Sequence, residues 1–208
     1  MCDGGADISN VKIRYYGPNY RAIHASRDIK EGSPVLSIPK SHMISQDIFD
    51  ATKVSKDIIA KLEEKLTLPA YSRLAIFLMM ERRNENSFYA ANSACMPTSF
   101  ENHTISFGPE ERNLLLGSPV LDDIYGDLDD TKADYDILFE AIPEFRQFDL
   151  KEYEETLVII SSRTFGIIVD GEKMTTMVPF MDMLNHNIPA NAYWEYNDAE
   201  NAFYCIAW

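Results

Sequence analysis

Asp182, Asn185 and His186 lie within a five-residue stretch, and Arg163 stands about twenty residues upstream. An Asp-x-x-x-His spacing is open to several kinds of chemistry. A zinc site needs a third ligand and preferably a fourth. The remaining histidines, His24, His42 and His103, have no ligand-like spacing to this segment, so no metal is expected. A hydrolytic Ser-His-Asp arrangement can assemble from distant parts of a chain, but the sequence has no glycine-flanked nucleophile elbow. The plainest alternative is local, with Asp182, Asn185 and His186 satisfying one another and nearby backbone in a turn. Arg163 sits between an apolar helix end and the apolar run Phe165–Val169. A buried arginine needs acceptors, and either Asp182 or a bound ligand could supply them. Phe165, Phe180, Tyr193, Trp194, Tyr196, Phe203, Tyr204 and Trp208 crowd the last segment. They could line a pocket for an alkyl-ammonium group, or serve as ordinary core. The paired carboxylates Asp122-Asp123 and Asp129-Asp130 lie in a strongly charged stretch and read as solvated surface, because acid–base catalysis needs carboxylates in contrasting environments.

These residues must be positioned by the elements around them. Val11, Ile13 and Tyr15 alternate with Lys12 and Arg14, the two-residue period of a half-buried strand. Gly17-Pro18-Asn19 breaks it, Arg21–Ala25 reads as a second strand, and Ser33–Ile38 as a third. From Gln46 to Asp149 the pattern is mainly helical. Helices are expected over Asp47–Leu66 with a break near Ala51–Val54, from Pro69 through Met79, over one or two turns at Glu110–Leu116, and over Asp129–Ile142 and Asp149–Ser162. Asn92–Gly108 reads as loop. Short strands return at Phe165–Val169 and Met174–Val178 around the Asp170-Gly171 turn. Ala192–Tyr196 and Ala202–Ile206 form a further hairpin. The order of β-rich, helical and β-rich segments predicts an α+β fold in which helices interrupt one strand-built core.

The 208 residues suit one sizeable domain, with 46% hydrophobic residues to fill it. The formal net charge is -14, of which Glu110–Glu155 carries -11. Such a chain gains nothing from approaching nucleic acid or an anionic membrane; its acidity either serves solubility alone or attracts a basic partner such as a lysine-rich tail. Cys2, Cys95 and Cys205 are too few and too scattered for a disulfide scaffold. The expected compartment is intracellular, cytoplasmic or nuclear.

Ser162-Arg163-Thr164-Phe165 followed by Met177-Val178-Pro179-Phe180-Met181-Asp182-Met183-Leu184-Asn185-His186 closely resembles a signature of SET-domain protein methyltransferases. It is that of the Rubisco large-subunit methyltransferase-like branch. Tyr20–Ala25 with Arg27-Asp28-Ile29-Lys30-Glu31-Gly32 and Val35–Pro39 resembles the branch's first hairpin region, and Met96-Pro97 and Leu114–Ser118 resemble landmarks of its helical insertion.

The resemblance implies a β-rich SET fold interrupted by a mainly helical insertion. Residues 1–45 would be the N-terminal strands, 46–149 the insertion and 150–208 the C-terminal part of the core. It implies S-adenosyl-L-methionine as cofactor, contacted by Asn19, Arg21, Ala22, Asn185 and His186, with Ala22 in place of a usual glycine. Arg163, Asp182 and Phe180 would shape the cofactor and substrate sites. The implied reaction is in-line attack of a deprotonated nitrogen on the sulfonium methyl, helped by positioning and exclusion of water. The acceptor would be a lysine of a protein substrate, and a basic one suits the acidic chain. A histidine acceptor and a catalytically silent peptide- or protein-binding module are the alternatives. The family's catalytic tyrosine is expected beyond Trp208. The resemblance leaves the substrate protein and the oligomeric state open.

Overall fold

The computed structural model describes residues 4–17, 20–52, 55–56 and 68–208. The fold is mixed α+β, with three antiparallel sheets interrupted by helical segments. By contacts, the chain divides into a strand-built unit, Met1–Gln46 with Arg163–Trp208, and a helical unit, Asp47–Ser162. The sequence drew its second boundary at 149/150, one helix earlier.

In the strand-built unit, β1 (Val11–Gly17) and β2 (Tyr20–Ala25) form an antiparallel hairpin in which Ile13 faces Ile23 and Tyr15 faces Arg21. β3 (Pro34–Pro39), the third strand read from the sequence, does not join this hairpin. It pairs instead with β8 (Ala202–Ala207), placing Leu36 opposite Cys205 and Ile38 opposite Phe203. β7 (Ala192–Asn197) completes that sheet. In the third sheet the short β4 (Ile44–Ser45) and β5 (Thr164–Val169) flank β6 (Glu172–Met177). The β5–β6 turn carries Asp170 and Gly171 at φ 50° and 84°, the left-handed pair that a two-residue hairpin loop requires.

Both C-terminal hairpins therefore gain an outer strand from the first 45 residues. The apolar residues of these strands meet in one core containing Leu36, Ile38, Ile167, Val178, Met181 and Phe203. Phe165 and Trp194 pack against Phe203 of this core, with Trp194 stacked on it at 5.4 Å.

The helical unit contains α1 (Gln46–Ala51), whose first residue belongs to the strand-built unit, α2 (Ala70–Arg83), α3 (Ala90–Ala94), α4 (Pro109–Asn113), α5 (Pro119–Ala141) and α6 (Leu150–Arg163). The helix expected over Asp47–Leu66 falls partly outside the described residues. The end of α3, from Asn92, and a 3-10 turn at Thr104–Ser106 lie in the stretch read as loop. Leu74–Met79 of α2 is buried throughout, as its nearly all-round apolar pattern requires. Tyr135, Phe145, Phe148 and Tyr153 form an aromatic cluster, and the Tyr135 hydroxyl donates to the Phe148 carbonyl at 2.8 Å. Among the described residues no helix is long and apolar enough to cross a membrane.

Candidate functional site

The segment that follows β6 is a tight turn built on strained backbone. Phe180 adopts φ 72°, a left-handed conformation that costs an aromatic residue about 1–2 kcal/mol. The Asp182 amide donates to the Val178 carbonyl at 3.1 Å, the Met183 amide to Phe180 and the Leu184 amide to Met181. Met181 and Met183 are buried, so the 3-10 turn between them is pinned to the core and fixes the direction of Asp182.

Arg163 closes α6 immediately before β5 and is held at that junction. Its Nη1 donates to Asp182 Oδ2 at 2.9 Å and to the Asp182 backbone carbonyl at 3.3 Å. The side chain of Asp182 is 2% exposed and that of Arg163 18%. Of the two partners the sequence allowed for Arg163, Asp182 is the one in place. The local alternative, with Asp182, Asn185 and His186 satisfying one another, is not what forms.

Burial pushes the Asp182 carboxyl above the ordinary carboxylate range. The neighbouring Arg163 guanidinium, by charge and hydrogen bond, offsets part of that rise, with a smaller contribution from Arg21. Asp182 Oδ1 is buried and accepts no hydrogen bond among the described residues. A buried carboxylate oxygen without a donor is expensive. On the arginine, only Nη1 is engaged among the described residues. The pair therefore keeps one buried acceptor and several guanidinium donors unspent. Together these complement a ligand that carries an ammonium and a carboxylate at the same end.

The other sequence-derived positions are distributed around this pair. Arg21 and Ala22 are half-buried in β2, opposite Tyr15 and Arg14. The positive charge of Arg21 favours the ionised form of Asp182. Asn185 and His186 follow the 3-10 turn in an exposed segment without regular secondary structure, and neither side chain makes a hydrogen bond among the described residues. Asn19 lies outside the described residues. Trp208 is exposed at the end of β8. Of the aromatic residues considered as pocket lining, Phe203 is core, and Trp194 packs against it while staying partly exposed. Among the described residues no cluster of His, Cys, Asp or Glu is arranged to hold a metal.

Two features of the site had no sequence signal strong enough to find them. The positive φ of Phe180 carries none, since neither glycine nor asparagine marks it. The unpaired Oδ1 depends on which of two carboxylate oxygens Arg163 takes, a matter of geometry alone.

No family profile matches the chain. Among curated proteins it is similar to actin-histidine N-methyltransferases. That of Rhinolophus ferrumequinum is 24% identical over 199 residues, covering 88% of this chain and 32% of the relative. That of Mus musculus is 23% identical over 198 residues with the same coverage. Among solved structures, the SET domain of LSMT bound to lysine and AdoHcy superposes with a TM-score of 0.79 at 22% identity, over 99% of this chain and 48% of that one. Rubisco LSMT bound to sinefungin and monomethyllysine gives a TM-score of 0.77 at 22% identity, over 99% and 47%. The chain thus spans about a third of the length of the curated relatives and about half of the solved chains it matches. Its fold is the SET-type fold seen in the Rubisco LSMT SET domains.

Proposed function

We propose that this chain is part of an S-adenosylmethionine-dependent methyltransferase acting on a nitrogen of an intracellular protein substrate, with lysine as the acceptor. The observation that carries the reading is the Arg163–Asp182 pair, with its buried, unspent acceptor and free guanidinium donors, set in a SET-type fold. The amino-acid end of S-adenosylmethionine has the ammonium and carboxylate that such a pair complements. Asn185 and His186 leave the turn with unspent hydrogen-bonding groups, Arg21 and Ala22 offer the facing strand, and Asn19 completes the proposed contact set. Phe180 would narrow the approach to the site. When bound, the cofactor supplies an electrophilic methyl group on sulfur. The chain's own residues hold and orient it, and the turn's apolar flanks exclude water. Residues 1–45 and the chain after 149 would be the two parts of the catalytic core, with 46–149 inserted between them.

A histidine acceptor is the second reading, favoured by the names of the curated relatives. The two acceptors are separated by mass spectrometry of lysine- and histidine-containing peptides after incubation with S-adenosylmethionine. Calorimetric titration with S-adenosylmethionine tests the shared premise. Saturable binding is expected, weakened about tenfold by Arg163→Lys, which removes the planar fork of donors. Binding that leaves every peptide unmethylated would favour a silent binding module. No binding heat and no ligand-induced rise in melting temperature would overturn the proposal.

A further inference from the structure

The corner between α4 and α5 leaves apolar side chains in water. Leu114 is 85% exposed, Leu116 71%, and Tyr125 in the second turn of α5 is 47%. The Arg112 guanidinium sits 5.5 Å from the centre of the Tyr125 ring, so α4 and the first turns of α5 are in contact. Neighbouring apolar side chains this exposed mark interaction surfaces. At 100° per residue, Asp122, Gly126 and Asp129 share an outward face of α5, with Tyr125 at its border beside buried Leu121.

Gly126 is the second unexplained feature of this face. It lies in the helix interior, where glycine is less favourable than alanine. Its φ is not in the left-handed region, and a Cβ there would meet nothing within 4 Å. Nothing among the described residues requires glycine there, and its lack of a side chain leaves a notch on the outward face through which another chain can approach closely.

Charge selects the occupant. α5 carries eight carboxylates against one lysine, and that lysine, Lys132, is taken up by Asp136. A second copy of a chain with net charge -14 is repelled, as are nucleic acids and anionic membranes. A cationic protein segment is attracted, and the apolar corner offers it anchoring contacts. We propose that the outward face of α5, with Leu114 and Leu116 at its end, docks a lysine- or arginine-rich segment of another protein through apolar side chains spaced along one face of that segment. The proposal concerns binding alone and does not depend on methyl transfer.

The test is fluorescence anisotropy of a labelled helical peptide of lysine and leucine in amphipathic order, titrated with the 208-residue protein without S-adenosylmethionine. A peptide with glutamate for lysine serves as control. Gly126→Ala is expected to raise the melting temperature and yet weaken binding about tenfold, a combination that misfolding cannot produce. Leu114→Ser with Leu116→Ser should also weaken binding about tenfold. Asp122→Asn with Asp129→Asn should weaken it far more than Glu172→Gln with Glu195→Gln, which removes the same charge from exposed strand positions. Equal effects from the two charge pairs, or wild-type affinity in the Gly126 and leucine variants, would reduce the attraction to diffuse counter-ion binding and overturn the proposal. So would salt-sensitive self-association in sedimentation that buries this face.

Discussion

At the scale of single residues, the energetics of the site centre on Asp182. Its carboxylate is removed from water and relies on one guanidinium. Removing that partner leaves a buried charge uncompensated, so Arg163→Ala is expected to destabilise the fold by about 3–5 kcal/mol in urea unfolding. The pH dependence has a definite sign. Because burial holds the Asp182 pKa above its ordinary value, the folded chain binds that proton more tightly than the unfolded chain does. This contribution to stability is fully present below the ordinary carboxylate pKa of about 4. It declines as pH rises through the folded value. The stability difference between the wild type and Asp182→Asn should therefore shrink across that window in paired melting curves. A difference that grows with pH would mean that the arginine's attraction outweighs burial. The sequence made Arg163 and Asp182 legible because a lone arginine between apolar segments demands an acceptor. It could not decide between Asp182 and a ligand, and the structure leaves donors and an acceptor for both.

At the scale of elements, agreement was best where a period or a turn motif was strong. The Asp170-Gly171 hairpin joins the short segments Phe165–Val169 and Met174–Val178 at a strong turn signal, and the β7–β8 hairpin falls on Ala192–Tyr196 and Ala202–Ile206. α5 was read as starting at Asp129 and starts at Pro119. Its first turns carry Asp122, Asp123, Gly126 and Asp127, which blur the apolar period, whereas the decisive signal is local. The Ser118 hydroxyl accepts from the Val120 amide at 3.3 Å, and Pro119 occupies the first helical position. Ser118→Ala should cost about 1 kcal/mol by thermal denaturation, and Ser118→Asp should retain most of that stability. The partner of β3 was illegible for a different reason. A strand's alternation states which face is buried but not which strand lies beside it, and Cys205 and Phe203 are far along the chain from Leu36 and Ile38.

At the scale of the whole molecule, the pairing of β3 with β8 joins the beginning of the chain to its end. Cys205 sits in the middle of this sheet, buried, with its thiol pushed up to about 11 by burial. At neutral pH it should resist a thiol reagent that labels the exposed Cys95, and it should become reactive only as the sheet opens in denaturant. Labelling of Cys205 at the rate of Cys95 under native conditions would count against the sheet's closure. The same pairing orders events during synthesis. The helical unit is one continuous stretch, Asp47–Ser162, and has its full sequence as soon as that stretch has emerged from the ribosome. β3 emerges earlier and must wait for residues 202–207. At about 5–20 residues per second that interval is on the order of ten seconds or more. Throughout it, Leu36 and Ile38 lie in a strand without its partner, exposed to chaperones and to the same strand of neighbouring nascent chains.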